Sequence, residues 1–397
     1  MKIFLLVLGI VVLIANAGER SVLTHLPLPA KIEITTECDS DCVEALKAQE
    51  EAKAFIERQN RKASVGEVII PIETPETVSI TLGRSPYVSG ETVRVALLVP
   101  RKVIRKYARS VADTIVAYLI KRGGDFEFDV FDSGDESIEH LQTMLDQIRM
   151  GGYGFVIAPV TKRGAEIIAA NEAEMTIFIP TVNRQDVEFS EDNILFGGID
   201  YKRQIDALLS IASKKVAIFG DGSPLAYRLS EYIHNSSFGE IVYEKNIKNI
   251  KSNLSAMLKE NSKLNDASVF LNMSVIKSAL MVAQLRFYDL APYNILSTQI
   301  NYNPMLLTLT QAEDRKKLFI ANSIAKEEPT LLDINLLLGN NPRFDWIEYS
   351  TSIGLDYLLT SGEERRLFTE MVDENQISYG VTLYKAGVSD FKPVSSW

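Results

Sequence analysis

The sequence predicts an α/β protein with two lobes, each a parallel sheet covered by helices on both faces. Three observations carry that prediction. From Thr92 onward, short runs rich in β-branched and aromatic residues alternate with segments of helical periodicity, the alternation that builds parallel strands joined by covering helices. In mid-series two such runs, residues 175–182 and 193–199, are joined only by the polar stretch NRQDVEFSED, too short for a covering helix, as a crossing between lobes would be. Beyond residue 324 the chain ends in a helical segment and a run of alternating polar and apolar residues, which suits a return across a hinge.

In chain order, Lys2, an apolar run over residues 3–14 and the pattern Ala15-Asn16-Ala17 have the layout of a secretory signal cut after Ala17. The other reading is a retained membrane anchor, but the run falls short of the ~20 residues a spanning helix needs. The residue directly after the cut is Gly18 and not a cysteine, so there is no lipobox, and an exported, periplasmic chain without a lipid anchor is expected. Export colours the reading of the only two cysteines, Cys38 and Cys42 in ECDSDC. They read as a local disulfide that fixes the start of the next helix, with a soft-metal pair or reduced thiols as alternatives.

Residues 18–91 read as an N-terminal appendage. Residues 41–62 are rich in helix formers, and VIIPIETPETVSITL mixes β-branched residues with Pro71 and Pro75, which suits an edge strand or an extended linker. The first lobe then covers residues 92–196 and the second 197–324. Residues 325–397 form the hinge return, with a helix in FDWIEYSTSIGLDYLLTSG and a hairpin in ISYGVTLYKAGVSDFKPVSSW.

The formal net charge of -10 argues against nonspecific nucleic-acid binding. Where a dinucleotide fold would carry a glycine-rich phosphate loop after its first strand, this chain has Pro100, Arg101 and Lys102. Only three histidines occur, none at metal spacing, and no hydrolase, zinc-protease or phosphate-loop motif appears, so neither catalysis nor a metal or other cofactor is expected. GDGSP at residues 220–224 reads as a strand-to-helix turn capped by Ser223.

Ligands of open α/β sheets bind outside the carboxyl ends of the strands. Those ends bring forward Arg101, Lys102, Thr161, Lys162, Asn183, Arg184, Ser223, Tyr227, Asn272, Ser274, Gln299 and Tyr302 as cleft candidates for a small polar ligand, the alternative being a solvated rim. On the helix after the first strand, Ile104, Tyr107, Ala108, Val111 and Ile115 form an apolar stripe. Arg101, Lys102, Arg105, Lys106 and Arg109 fall on the opposite face, where like charges oppose the helix dipole. This basic face is a candidate dock for an anionic partner, either an acidic protein surface or a cell-wall carboxylate; a solvated face is the alternative.

Several stretches together carry a family resemblance: VALLVP, FVIAPVTKRGAEIIA, ASVFLNMSVIKSALMVAQLRFYDLAPYNILSTQ, IEYSTSIGLDYLL and ISYGVTLYKAGVSDFKPV. With them, residues 92–397 resemble the type I periplasmic binding proteins, the leucine-binding-protein-like superfamily. Within it the chain looks most like periplasmic activators of penicillin-binding proteins, the LpoA type. That resemblance implies a non-catalytic interaction or regulatory protein of envelope machinery, with a partner in cell-wall synthesis. The alternative is a solute-binding receptor of an ABC-type transporter for a small polar ligand. The activators carry a lipid anchor and a helical repeat domain in front, and this chain departs from both. The loop APVTKRGAE lacks the serine-rich pattern with which nutrient receptors of the superfamily grip an amino acid.

Overall fold

Each strand-like run from Thr92 onward that is buried on both faces becomes a strand of one of two sheets. The computed structural model describes residues 77–81, 92–171, 174–188, 190–236, 239–247, 254–326, 328–360 and 366–396, all within one compact unit. The signal segment, the Cys38 and Cys42 pair and the helical segment at 41–62 lie outside the described residues.

The first sheet contains β1 (Thr77–Thr81), β2 (Val93–Val99), β3 (Phe126–Asp132), β4 (Phe155–Ile157), β5 (Thr176–Ile179) and β6 (Ile194–Phe196). The second contains β7 (Lys215–Gly220), β8 (Glu240–Asn246), β9 (Ser268–Asn272), β10 (Asn294–Ser297) and β11 (Leu318–Asn322). The return adds β12 (Met371–Asp373) and β13 (Gln376–Ser378) to the first sheet, and β14 (Thr382–Ala386) and β15 (Phe391–Ser396) to the second. The orders are β1-β3-β2-β4-β5-β6-β13-β12 and β15-β14-β11-β10-β9-β7-β8. In both, the central neighbours run parallel, while β1, β12, β14 and β15 lie antiparallel at the edges. Both sheets reverse strand order at their first long strand, β2 between β3 and β4 and β7 between β8 and β9. That reversal opens a crevice at the strand carboxyl ends.

Helices cover both faces of both sheets. Tyr107–Arg122 and Trp346–Thr360 share one core on the first sheet with Val95, Leu97, Phe128 and Phe178. Ile138–Met150 and Lys162–Asn171 close the other face over Ala96, Leu98 and Val156. Val275–Phe287 does the same for one side of the second sheet, and Tyr201–Leu209 with Pro224–Asn235 for the other.

Three details differ from the sequence reading. β5 and β6, joined without a covering helix, pair side by side, so this helix-free junction lies within the first sheet. The alternating terminal run is divided: β13 pairs with β6 in the first sheet, and only β14 and β15 form the hairpin, in the second. The basic segment after β2 is not one helix. Arg101–Ile104 makes a single turn, Arg105 takes φ 51 and ψ -115, and a second helix begins at Tyr107. Its five cations therefore do not share one helical face.

The returning helix is seated by close approach. A Cβ on Gly354 would lie 2.1 Å from Phe178 Cδ1, and one on Gly197 would lie 2.2 Å from Ser350 Oγ, so only glycine fits at either place. Below them Asp356, fully buried, accepts hydrogen bonds from Tyr118 Oη at 2.7 Å and from the amides of Leu367 at 2.9 Å and Phe368 at 3.1 Å. Burial, reinforced by Asp356, pushes the Tyr118 phenol well above its ordinary range.

Candidate ligand-binding cleft

Two adjoining cavities, of about 590 and 530 Å³, open between the lobes and share Lys106, Tyr107, Thr181, Asp186, Arg228 and Ile347. The strand ends position these walls. Lys106 and Tyr107 follow β2, Thr181 and Asn183 follow β5, Arg228 rides the helix after β7, and Gln299 follows β10. The return helix contributes Trp346 and Ile347. The larger cavity has an apolar floor of Val103, Ile104, Pro159, Val160, Val182 and Ile347 beneath Arg105, Lys106 and Lys162. The smaller one is more polar, with Asn183, Tyr201, Gln299, Asn303 and Asp345 among its lining residues.

Of the sequence candidates, Arg105, Lys106, Thr161, Lys162, Asn183 and Gln299 meet at this cleft. Gln299 is held in one orientation: its Oε1 accepts from Gln204 Nε2 at 3.0 Å and from the Ser323 amide at 2.9 Å, and its own amide donates to Gln204 Oε1 at 3.0 Å. Asn183 is buried, donates to the Gly198 carbonyl at 3.3 Å and accepts from the Gln185 amide at 3.0 Å. Thr161 is already engaged. Its amide donates to Glu136 Oε1 at 2.6 Å and its hydroxyl to Glu136 Oε2, so a buried protein carboxylate occupies the start of the Lys162–Asn171 helix.

The other candidates lie elsewhere. Arg101 pairs with Asp132 at 2.9 Å, and neither it nor Lys102 lines either cavity. Arg184 faces the hinge side, where its amide donates to Gln376 Oε1 at 2.8 Å and its guanidinium to the Val187 carbonyl at 2.7 Å. Ser223 caps its helix by accepting from the Ala226 amide at 3.2 Å, the role read from GDGSP. The Ser274 amide donates to Asp221 at 3.3 Å. Asn272 is buried and donates to Ser230 Oγ at 3.2 Å, whereas Tyr227 is exposed and outside both cavities. Tyr302 belongs to an aromatic cluster with Phe344, Tyr384 and Phe391, ring centroids 4.7 to 5.4 Å apart.

Sequence reasoning missed the pair that spans the cleft. Arg228 Nη1 donates to Asp186 Oδ2 at 2.7 Å, joining the second lobe to the segment after β5. Asp186 sits inside the polar stretch NRQDVEFSED, which was read only as a connection. It also missed Tyr107, above whose ring the Lys106 ammonium stands 5.1 Å from the centroid.

Beside the cleft, a third cavity of about 320 Å³ is lined by Lys106, Arg109, Asp113, Asp345 and Glu348. Glu348 is 5% exposed and accepts from Ser110 Oγ at 2.6 Å and the Asn341 amide at 2.7 Å. Burial, with the nearby charges of Asp345 and Asp113, pushes its carboxyl up to about 7. Among the described residues no group of three or more His, Cys, Asp or Glu side chains is placed to hold a metal ion.

No family model matches the chain, and no curated protein matches it. Solved structures do. A putative branched-chain amino acid ABC transporter protein from Rhodospirillum rubrum aligns over 77% of this chain and 100% of its own at 12% identity, with a TM-score of 0.59. A branched-chain amino acid ABC transporter protein from Thermus thermophilus, with bound valine, covers 78% of this chain and 96% of its own at 13% identity and a TM-score of 0.57. A solute-binding protein from R. palustris in complex with 4-hydroxybenzoate covers 77% and 97% at 11% identity and 0.53. Among the described residues no helix is long and apolar enough to cross a membrane. With two helix-covered sheets and a cleft at their strand ends, the chain has the two-lobed fold of the type I periplasmic binding proteins.

Proposed function

We propose that the protein is a non-catalytic periplasmic receptor that holds a small organic ligand between its lobes and presents it to an ABC-type membrane transporter. The observation that carries this reading is the interlobe cleft, with walls from both lobes, an apolar floor and a salt bridge, Arg228 to Asp186, across it. A concave site that combines apolar lining with polar groups able to orient a ligand is the usual form of a small-molecule pocket. The neighbours in fold include proteins with valine and with 4-hydroxybenzoate bound, which supports a ligand of that size.

The resemblance to LpoA-type activators implied an interaction protein docking envelope machinery through five basic residues. That surface is weaker than the sequence implied, because Arg101 and Arg109 pair with Asp132 and Asp113 and the helix breaks between them. The receptor reading therefore stands first.

A melting-temperature screen of the mature chain against amino acids, peptides, sugars, nucleotides and organic acids tests it. A ligand that binds only the folded state raises stability by about 2.7 kcal/mol at a hundredfold excess over its Kd. The expected result is a clear rise with one chemical class. No rise with any class would overturn the receptor reading and return attention to a protein partner.

A further inference from the structure

Resting on the receptor reading, we propose that the cleft ligand carries an oxyanion, a carboxylate or phosphate on an apolar body, and that Arg105, supported by Lys106, is the residue that selects it.

Backbone strain singles out Arg105. At φ 51 and ψ -115 it occupies a region that glycine enters freely and other residues enter at a penalty, and it does so between two helices at the mouth of the cleft. A position needing that conformation only as a joint would be served better by glycine. Keeping a long cation there points to use of the side chain.

Charge bookkeeping gives the second argument. The other two cations lining the larger cavity are matched within the chain, Lys162 to Glu166 at 3.5 Å and Arg228 to Asp186 at 2.7 Å, and so are Arg101 to Asp132 at 2.9 Å and Arg109 to Asp113 at 3.2 Å in the same basic segment. Among the described residues, Arg105 and Lys106 have no ion pair or side-chain hydrogen bond, and both line the larger cavity. The carboxylates that could answer them are engaged elsewhere. Asp186 is held by Arg228, and Asp345, which accepts from the amides of Ile347 at 2.9 Å and Glu348 at 3.3 Å, lines the smaller cavity and not the larger one.

Position gives the third. The nearby helix start that could bind an anion through backbone amides is filled by Glu136 on Thr161, so an oxyanion there would meet a buried carboxylate. The two cations share the larger cavity with the apolar side chains of Ile104, Pro159, Val160 and Val182, so a ligand with an anionic head and an apolar body would find a partner for each part. A planar guanidinium suits bidentate binding of carboxylate or phosphate.

The test is titration calorimetry of the full mature chain with benzoate, hexanoate and phenyl phosphate, each beside a neutral counterpart: benzamide, hexanamide and phenol. The anions should bind at least tenfold tighter than their counterparts, and the carboxylate and phosphate arms show which head group is preferred. Arg105→Gly should lose at least tenfold of that affinity while melting no lower than the parent, since it removes strain. Arg105→Lys should keep part of the affinity, and Lys106→Gln should lose a smaller part. Neutral compounds binding as well as anions, unchanged anion affinity in Arg105→Gly, or a lower melting temperature for that variant would overturn the assignment. If neutral or cationic ligands bind in the wider screen, the receptor reading survives and this inference fails; if nothing binds at all, both fall.

Discussion

The mouth of the cleft and the seam behind it use charged and strained positions in opposite ways. At the seam, Asp356 is fully buried and surrounded by donors, and Gly354 and Gly197 let the return helix touch Phe178 and Ser350. At the mouth, Arg105 and Lys106 are exposed, have no ion pair among the described residues and sit at a helix break. The Asp356 carboxylate at the seam is answered by donors of the protein itself, whereas the cations at the mouth leave interactions for something else to complete. Substitutions at the seam should therefore be read in stability, and substitutions at the mouth in binding.

The largest expected effect is at the seam. Asp356→Ala would leave the Tyr118 hydroxyl and the Leu367 and Phe368 amides without their acceptor, and losing one partner of a buried charged cluster costs about 3–5 kcal/mol. Denaturant unfolding should show a lower midpoint; an unchanged midpoint would mean that the seam does not carry the fold. Gly354→Ala pushes a methyl into the Phe178 ring and should destabilise by about 1–3 kcal/mol, seen as a fall in melting temperature.

Glu348 lies between the two regions and sharpens the contrast through pH. Its folded value of about 7 is raised above the ordinary 4.5, so the native state binds the extra proton. Stability from this group is present below pH 4.5 and is lost as pH rises through about 7. Unfolding free energies measured from pH 5 to pH 8 should fall more steeply in the parent than in Glu348→Gln, by an amount on the order of 1–2 kcal/mol. Equal slopes would mean that Glu348 titrates normally. The smallest stability effect belongs to the mouth: relief of strain in Arg105→Gly, reduced by the extra freedom of glycine in the unfolded chain, should leave the variant between the parent's stability and about 1 kcal/mol above it.

Much of the fold was legible because fully buried parallel strands are written as continuous apolar runs, and the covering helices between them as periodic ones. The capping role of Ser223 was legible for the same local reason. The helix break was not. RKVIRKYARSV contains no glycine or proline to mark Arg105, and its positive φ goes against the local pattern. Nor could the chain order show that Arg228 would reach Asp186, 42 residues away, that Glu136 would claim Thr161, or that Tyr302 would turn into an aromatic cluster. Such pairings depend on which strand ends the topology brings together. One signal was present and unused: a lone Asp356 inside the apolar run SIGLDYLL is where a helix needs a buried partner for a charge.

The contrast between mouth and seam is tested most directly by melting the parent and Arg105→Gly side by side, each with and without benzoate and phenyl phosphate. The expected result is that the parent's melting temperature rises with at least one of these anions, while Arg105→Gly starts at or above the unliganded parent and rises clearly less at the same ligand concentration. Equal rises in both proteins would contradict it and move the ligand's contacts away from the mouth of the cleft.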